Sequence, residues 1–400
     1  MNITIGTPVS GDEFFDREEI VHTLWETLDG HSVLLAAPRR VGKSSLILKL
    51  IDEPKEGFEV LWLDGQDYDT PEDLVADLAI KASKLRNDNT GILGRLLSKA
   101  MTEVEKLESL ELWELKVKLR EQLKGSWRVQ GEAVIRETLR PGKKLLIAID
   151  ELPILLHKLV AGPGQDGEKL AQDLLDWLRH LRQAPDFFRQ VRQLVGGSIG
   201  LPRIASMIGS SAKINDLRPV EVGPLERPKA RELAGLLLKS RGVELDPPTM
   251  EAFLDQTATF FPIFIQIMAS VVASEARRRE EPLNPGQLRK CYEQRALGPE
   301  FRICFEDYYE RLQSYYSPAE ARVARMLLRE LAVAKEPLRR SLLLGLYQKE
   351  LEAPADPSGF DLLLTWLADD FYVEEIEGAR VQFKSRWMQD WWRMYHGSRP

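Results

Sequence analysis

Cysteine is scarce in this chain: Cys291 and Cys304 are the only two in 400 residues. That excludes a disulfide framework and a Cys-rich zinc site. The five histidines are scattered, with no ligand spacing, and each reads as a surface or capped residue. No apolar run approaches the ~20 residues that a membrane span needs. The opening stretch, Met1 to Ser10, lacks the basic-then-apolar order of a signal peptide. The expected setting is therefore cytoplasmic, with no membrane partner. Base is not in excess either: 55 Lys and Arg stand against 62 Asp and Glu, a formal net charge of -7. This excludes a chain-wide basic footprint for nucleic acid and leaves room only for a local patch. There is no internal repeat and no low-complexity tract.

What is present is ample material for a core. Hydrophobic residues make up 44% of the chain, charged residues 29% and aromatics 8%, the balance of a soluble globular protein of about two or three domains.

The stretch from Val33 to Ser45 organises the rest. A short apolar run, Val33 to Ala36, enters a turn through Ala37, Pro38, Arg39, Arg40 and Val41. The turn ends in Gly42-Lys43-Ser44-Ser45, and an apolar-rich helix from Leu46 follows. Strand, phosphate loop and helix in that order form a P-loop nucleotide site. The loop wraps backbone N–H groups around phosphates and the helix N-terminus adds partial positive charge. Gly42 lets the backbone approach without a Cβ in the way. Lys43 supplies a mobile charge to the β- and γ-phosphates, and Ser44 a hydroxyl to Mg²⁺. Ala37 stands where the motif usually has its first glycine.

The second chemical landmark is Leu145 to Glu151. A continuous apolar run is the signature of a central parallel strand, and it ends in Asp150 and Glu151, where an open α/β sheet places its ligands. In a P-loop ATPase the Asp holds Mg²⁺ through its water shell, and the Glu orients and deprotonates the attacking water.

The remaining elements fall around these two. Phe14 to Ile20 is either a charged helix start with two aromatics beneath it or a segment lying over an adenine. Val60 to Asp64 reads as a buried strand, and Thr70 and Pro71 open a helix as N-cap and N1. Leu115 to Arg120 alternates strictly between apolar and basic residues, which predicts an inserted β-element near 106–120. Leu170, Leu174, Leu178 and Leu181 form one helix face and read as core. Gln193 to Ser198 reads as a fourth strand, with Ser198 at its end in reach of a γ-phosphate or water. Val220 to Val222 gives a fifth strand. Pro228 to Leu312 is helical throughout. From Ser317 the pattern is three helices, a hairpin about Glu377-Gly378 and a last helix carrying Trp387, Trp391 and Tyr395, read as core aromatics. This is the outline of a winged helix-turn-helix.

Together these segments resemble the archaeal-type ATPases of the AAA+/STAND branch of P-loop NTPases. Phe15 to Glu18, Ala37 to Ser45, Ile149 to Pro153 and Gly197 to Leu201 carry the likeness, with Asn215 to Leu217, Pro224-Leu225, Pro262 and the Trp-rich last helix. The resemblance implies an α/β fold: a P-loop AAA+-type parallel sheet of order 5-1-4-3-2, then an α-helical lid and a winged helix-turn-helix domain. The expected boundaries are 1–223 for the ATPase core, 224–313 for the lid and 314–400 for the winged helix. It also implies that Arg17 lies near the adenine, that Ser198 is the sensor 1 position, and that Pro262 sits where the lid meets the nucleotide. Two departures stand out. Asp16 occupies a position where the family usually has glycine, and Thr259-Phe260-Phe261 precedes Pro262 where the family is glycine-rich.

In AAA+ rings an arginine near Arg218 reaches into the next subunit's nucleotide; Arg203 is a rival, and a surface arginine is the plain alternative for either. Asp64 and Gln66 stand where they can hold Glu151 from the water until a partner binds. P-loop proteins that read guanine carry an Asn-Lys-x-Asp segment; none is present, which points to ATP and Mg²⁺ as the cofactors. The expected function is an ATP-binding and ATP-hydrolysing conformational switch with a protein partner or self-association, suited to signalling or defence against mobile elements. The alternative is a DNA-associated ATPase related to replication initiators. Against it, Asp356, Asp361, Asp369, Asp370, Glu374, Glu375 and Glu377 run through the third helix and wing with no Lys or Arg between them, and such a surface repels phosphates. Arg339, Arg340, Arg380 and Lys384 lie outside that run and leave only a smaller patch.

Overall fold

The computed structural model describes residues 1–38, 40–86, 91, 94–96, 98, 110–162, 166–197, 200–351 and 357–397. The chain forms two compact units. One holds Arg17–Ala37 and Lys43–Val222; the other holds Met1–Asp16, Pro38–Gly42 and Gly223–Pro400.

The first unit is built on a five-stranded parallel sheet. Its strands are β1 (Val33–Ala36), β2 (Phe58–Asp64), β3 (Lys144–Asp150), β4 (Val191–Gly197) and β5 (Arg218–Glu221). They lie in the order β2-β3-β4-β1-β5, which read from the β5 edge is 5-1-4-3-2. The apolar run of β3 and every residue of β4 are buried, as expected of strands covered on both faces. Gln193 is wholly buried in β4 yet satisfied: its N–H donates to Ser32 Oγ at 2.9 Å and its amide donates to Leu178 O at 2.9 Å. The helices are α1 (Glu18–Gly30), α2 (Lys43–Asp52), α3 (Pro71–Arg86), α4 (Leu110–Leu123), α5 (Trp127–Thr138), α6 (Leu152–Ala161), α7 (Gly167–Gln183) and α8 (Leu201–Met207). Buried Arg192 caps the end of α1, donating to Leu28 O at 3.0 Å and Asp29 O at 3.1 Å. On α7, Leu174, Leu178 and Leu181 are core and Leu170 is half-buried.

The alternating stretch Leu115 to Arg120 is not a strand. Residues 110–120 belong to helix α4, and 106–109 lie outside the described residues. Helical spacing explains the burial better than alternation does. Leu119 and Leu123, four apart, are both fully buried. Lys116 reaches Asp77 Oδ1 at 2.7 Å, and Arg120 reaches Asp73 Oδ1 at 3.5 Å, so two long basic side chains follow α3. Asp77 is itself buried, also receives Lys81 at 2.8 Å and the Tyr68 hydroxyl at 2.6 Å. Burial works against its charge, but Lys116, Lys81 and Tyr68 outweigh that and hold its carboxyl below the usual range.

The second unit begins with α9 (Arg227–Lys239), α10 (Pro247–Thr257), α11 (Pro262–Ala276), α12 (Pro285–Lys290) and α13 (Pro299–Tyr315). A further group follows: α14 (Pro318–Val333), β6 (Leu338–Arg339), α15 (Arg340–Leu351), α16 (Pro357–Asp369), β7 (Val373–Ile376), β8 (Arg380–Phe383) and α17 (Arg386–His396). The three short strands pair antiparallel in the order β6-β8-β7. Ser317 and Glu320 close a capping box on α14. Trp387, Trp391 and Trp392 of α17 are fully buried. They are core: Trp387 stacks on Phe264 with centroids 4.9 Å apart and donates from Nε1 to Thr257 O at 2.7 Å. Among the described residues of this unit, five non-glycine residues take positive φ: Asp16 (+48°), Arg40 (+61°), Ala258 (+52°), Phe371 (+66°) and Ala379 (+50°). Lys229 partners Asp16 at 3.0 Å.

Candidate active site

The sheet brings the two sequence landmarks together at the carboxyl ends of β1 and β3. The side chain of Ser44, second residue of α2, donates to Asp150 Oδ2 at 2.8 Å across 106 residues of chain. The other carboxylate oxygen, Oδ1, accepts the backbone N–H of Glu151 at 3.0 Å. Lys43 is buried and bends back so that Nζ donates to Ala37 O at 3.1 Å. Ala37 is fully buried and Ser45 is nearly so. A cation, a hydroxyl and a carboxylate thus meet at one strand end.

Asp150 is 2% exposed. Burial, and then the charge of Glu151, push its carboxyl above the usual range; Lys43 and the Ser44 hydroxyl offset part of this. Asp64 stands opposite Asp150 in the β2–β3 register. Its carboxyl is raised as well, chiefly by burial and also by Asp150 and Glu151, while the Gln66 N–H bound to its Oδ1 at 3.0 Å works the other way. Three carboxylates therefore crowd one end of the sheet.

Glu151 follows the strand in a left-handed conformation, φ +49° and ψ +34°, and serves as N-cap of α6. For a non-glycine residue this costs on the order of 1 kcal/mol. The turn carries Glu151 past the strand end, and Glu151 O accepts from Ile154 N at 3.0 Å.

Three residues that the sequence did not single out support this arrangement. A Cβ at Gly65 would stand 2.6 Å from Glu151 O, so only glycine fits under that carbonyl. A Cβ at Gly196 would stand 3.0 Å from Asp150 Oδ1. Lys158 of α6 pins the turn after β2, donating to Gln66 O at 2.7 Å, Tyr68 O at 3.1 Å and Asp69 Oδ1 at 3.0 Å. The glycines at the ends of β2 and β4 were the available signal; the close approach itself needs coordinates.

The other expected site residues are placed as follows. Arg17 is buried at the N-cap of α1. Arg218 opens β5 in register with Val33, at the amino end of β1 and three residues back from Ala36, which pairs with Glu221. It is exposed there, at the end of the strand away from Lys43. Arg203, by contrast, is buried on α8, which follows the carboxyl end of β4. Pro38, Arg40, Val41 and Gly42 group with the second unit; Pro38 and Val41 are buried, and the backbone is left-handed at Arg40 (φ +61°) and Gly42 (φ +102°). Pro262 also belongs to that unit, as the first residue of α11. Arg39 and Ser198 lie outside the described residues.

Among the described residues, no helix is long and apolar enough to cross a membrane. No protein-family model and no curated protein matches the chain. Among solved structures, the Walker-type ATPase PABY2304 of Pyrococcus abyssi is similar over 98% of this chain and 100% of its own, with a TM-score of 0.66 and 18% identity. The Orc1 protein of Aeropyrum pernix in complex with DNA matches at a TM-score of 0.39 and 16% identity, over 95% of this chain and 92% of its own. The RuvB branch migration motor of Thermotoga maritima matches at 0.40 and 13%, over 98% and 99%. The first, at its identity, shows a shared fold: the chain has the fold of a Walker-type ATPase.

Proposed function

We propose that this chain binds ATP with Mg²⁺, hydrolyses it, and uses the two nucleotide states to switch its conformation toward a protein partner. The observation that carries this reading is the 2.8 Å bond between Ser44 and Asp150. It joins the end of the Gly-Lys-Ser loop to the end of an apolar strand, which is what a nucleotide-bound divalent cation requires. A hydroxyl and a carboxylate are hard oxygen donors of the kind Mg²⁺ takes. Ser44 and Asp150 would hold the ion, and its role there would be to offset phosphate charge. Lys43, now resting on Ala37 O, would turn to the β- and γ-phosphates. Glu151 takes the proton of the attacking water.

The remaining roles rest on resemblance. Ser198 would sense the γ-phosphate, Arg17 and Pro262 would approach the base side, and residues 224–313 would act as a lid. Arg218, at the amino end of β5, suits only a contact in a neighbouring copy. The helices α14 to α17 and the three-stranded antiparallel sheet of 314–400 support a winged helix-turn-helix. Its Arg340 is engaged by Asp361 at 2.6 Å and Glu375 at 2.5 Å. That leaves its charge neutralised within the domain, which favours a protein partner over a DNA groove.

Replacing Glu151 by Gln keeps size and hydrogen bonding but removes the base. Hydrolysis should fall by about 10²–10⁴ while ATP-Mg²⁺ binding persists. A Glu151→Gln chain turning over at the wild-type rate would overturn the assignment. Light scattering on the same variant, with and without ATP-Mg²⁺, separates the two modes of switching. A discrete oligomer appearing only with ATP supports self-association and makes Arg218 the next residue to replace; a monomer throughout supports an intramolecular switch read by a partner.

A further inference from the structure

The second unit carries a cavity of about 300 Å³ that the nucleotide reading does not use. One wall is a stripe of α11. Ser270 and Ser274 stand four apart on the helix, and Arg277, its C-cap, and Arg278, in the turn after it, extend the same wall. Arg241, in the turn after α9, lines it as well. Ala273, 3% exposed, lies beneath, and Ile3 adds an apolar edge, with the next residue fixed by Thr4 N–H donating to Gln266 Oε1 at 2.8 Å.

Three arginines thus line one small space. Among the described residues, Arg241, Arg277 and Arg278 form no ion pair, and all three are exposed. Their neighbours differ. Arg279, next in sequence, is bound to Glu275 Oε1 at 2.8 Å, and Arg295 also leans on Glu275 at 3.6 Å. The nearby carboxylate is therefore taken by arginines that do not line the cavity, and Glu280 and Glu281 do not line it either. Ser274 accepts from Arg295 Nη2 at 3.2 Å, so its own proton is available to donate. The C-terminus of α11 works against an anion, but a helix end carries only about half an elementary charge, and three full charges outweigh it. The forked guanidinium matches the oxygens of phosphate two at a time. The volume is at the small end of ligand pockets, which fits a small molecule and not a polymer.

We propose that this cavity binds a small phosphate-bearing anion, either free phosphate or the phosphate group of a small phosphomonoester. The test uses the full-length Lys43→Ala chain, which removes the lysine of the nucleotide loop, so the result does not depend on the ATPase reading. Binding of inorganic phosphate and of glycerol 3-phosphate is measured by calorimetry at low ionic strength. One salt-sensitive site per chain is expected, weakened about tenfold for each guanidinium removed on passing to R241Q, R277Q and R278Q combined. These residues are exposed, so the melting temperature should hold. The corresponding triple lysine variant keeps the charge but not the fork and should bind with intermediate strength. Tighter glycerol 3-phosphate would identify an organic ester as the ligand, and equal binding the free ion. Absence of binding by both anions, or binding unchanged in the triple glutamine variant, would overturn the proposal.

Discussion

Removing the Ser44 hydroxyl isolates the contact on which the site is built. Ser44→Ala leaves Asp150 Oδ2, in a residue 2% exposed, without the donor that now stands at 2.8 Å. A hydrogen bond to an ionised group contributes about 1.5–3 kcal/mol and a neutral one about 0.5–1.5. The nucleotide-free variant should therefore lose about 2 kcal/mol at neutral pH. The loss depends on pH with a definite sign. Asp150's folded pKa lies above its ordinary 3.8, mainly through burial. Between the ordinary and the folded value the native state binds more protons than the unfolded one, so native stability rises as pH falls through that window. Ser44 is one of the groups that lower the value, so Ser44→Ala raises it further. As pH falls and Asp150 is protonated, the missing contact becomes a neutral one, and the deficit should shrink by about 1 kcal/mol. Urea unfolding without Mg²⁺ or nucleotide, from about pH 8 down to about pH 4.5, reads this directly. Asp150→Asn provides the control: in that background Ser44→Ala should cost only the neutral amount at every pH. A deficit that ignores pH, or is as large beside Asn as beside Asp, would refute the reasoning.

Two other perturbations test the supports. Gly65→Ala drives a Cβ to 2.6 Å from Glu151 O and 2.9 Å from its carbonyl carbon, both backbone atoms that cannot swing away. It should displace Glu151 and lower hydrolysis by about tenfold or more, since misplacing a catalytic group by about 1 Å can cost 10²-fold; unchanged turnover would count against Glu151 as the base. Trp387→Ala empties a fully buried position stacked on Phe264 and leaves Thr257 O with the Thr259 N–H but without the indole donor. A loss of about 3–5 kcal/mol, seen as a lower melting temperature, is expected, with Trp387→Phe costing less because only the hydrogen bond and part of the stack are gone.

Much of the sheet was legible because its signals are one-dimensional. An unbroken apolar run as short as Leu145 to Ile149 is how a strand covered on both faces reads. Its ending in Asp150-Glu151, and Gly42-Lys43-Ser44 after the earlier run, marked the candidate site, and the bond from Ser44 to Asp150 joins the two. Where reading failed, two signals of equal strength competed. Leu115 to Arg120 is six residues long, and within six residues strict alternation coexists with an i, i+4 pairing. Leu119 and Leu123, together with Lys116 on Asp77, decide for the helix, and Asp77 lies too far away in sequence to be consulted. Arg218 precedes Val220 to Val222 in the sequence, which already puts it at the amino end of the fifth strand, and the register with Val33 agrees. Gly65 and Gly196 show in the sequence only as glycines at strand ends; what they permit is an approach to Glu151 and Asp150 across neighbouring strands.

The features that cost stability at the carboxyl end of the sheet are the ones the proposed chemistry requires. Asp64, Asp150 and Glu151 crowd together, and the first two titrate above their ordinary range because burial and mutual charge disfavour ionisation. Glu151 is held left-handed. A chain under no functional demand would relieve both by placing an amide at 150 and a glycine at 151. Keeping them makes sense if a cationic ligand partners Asp150 and a bound water faces Glu151. The destabilisation should then be reversed by that ligand: stabilisation by ATP-Mg²⁺ grows as RT ln(1 + [L]/Kd), and it should be largest where Asp150 is ionised. The strain and the crowded charge thus belong to the nucleotide-free state, and a gap in stability between the free and bound states is what a nucleotide-controlled switch runs on.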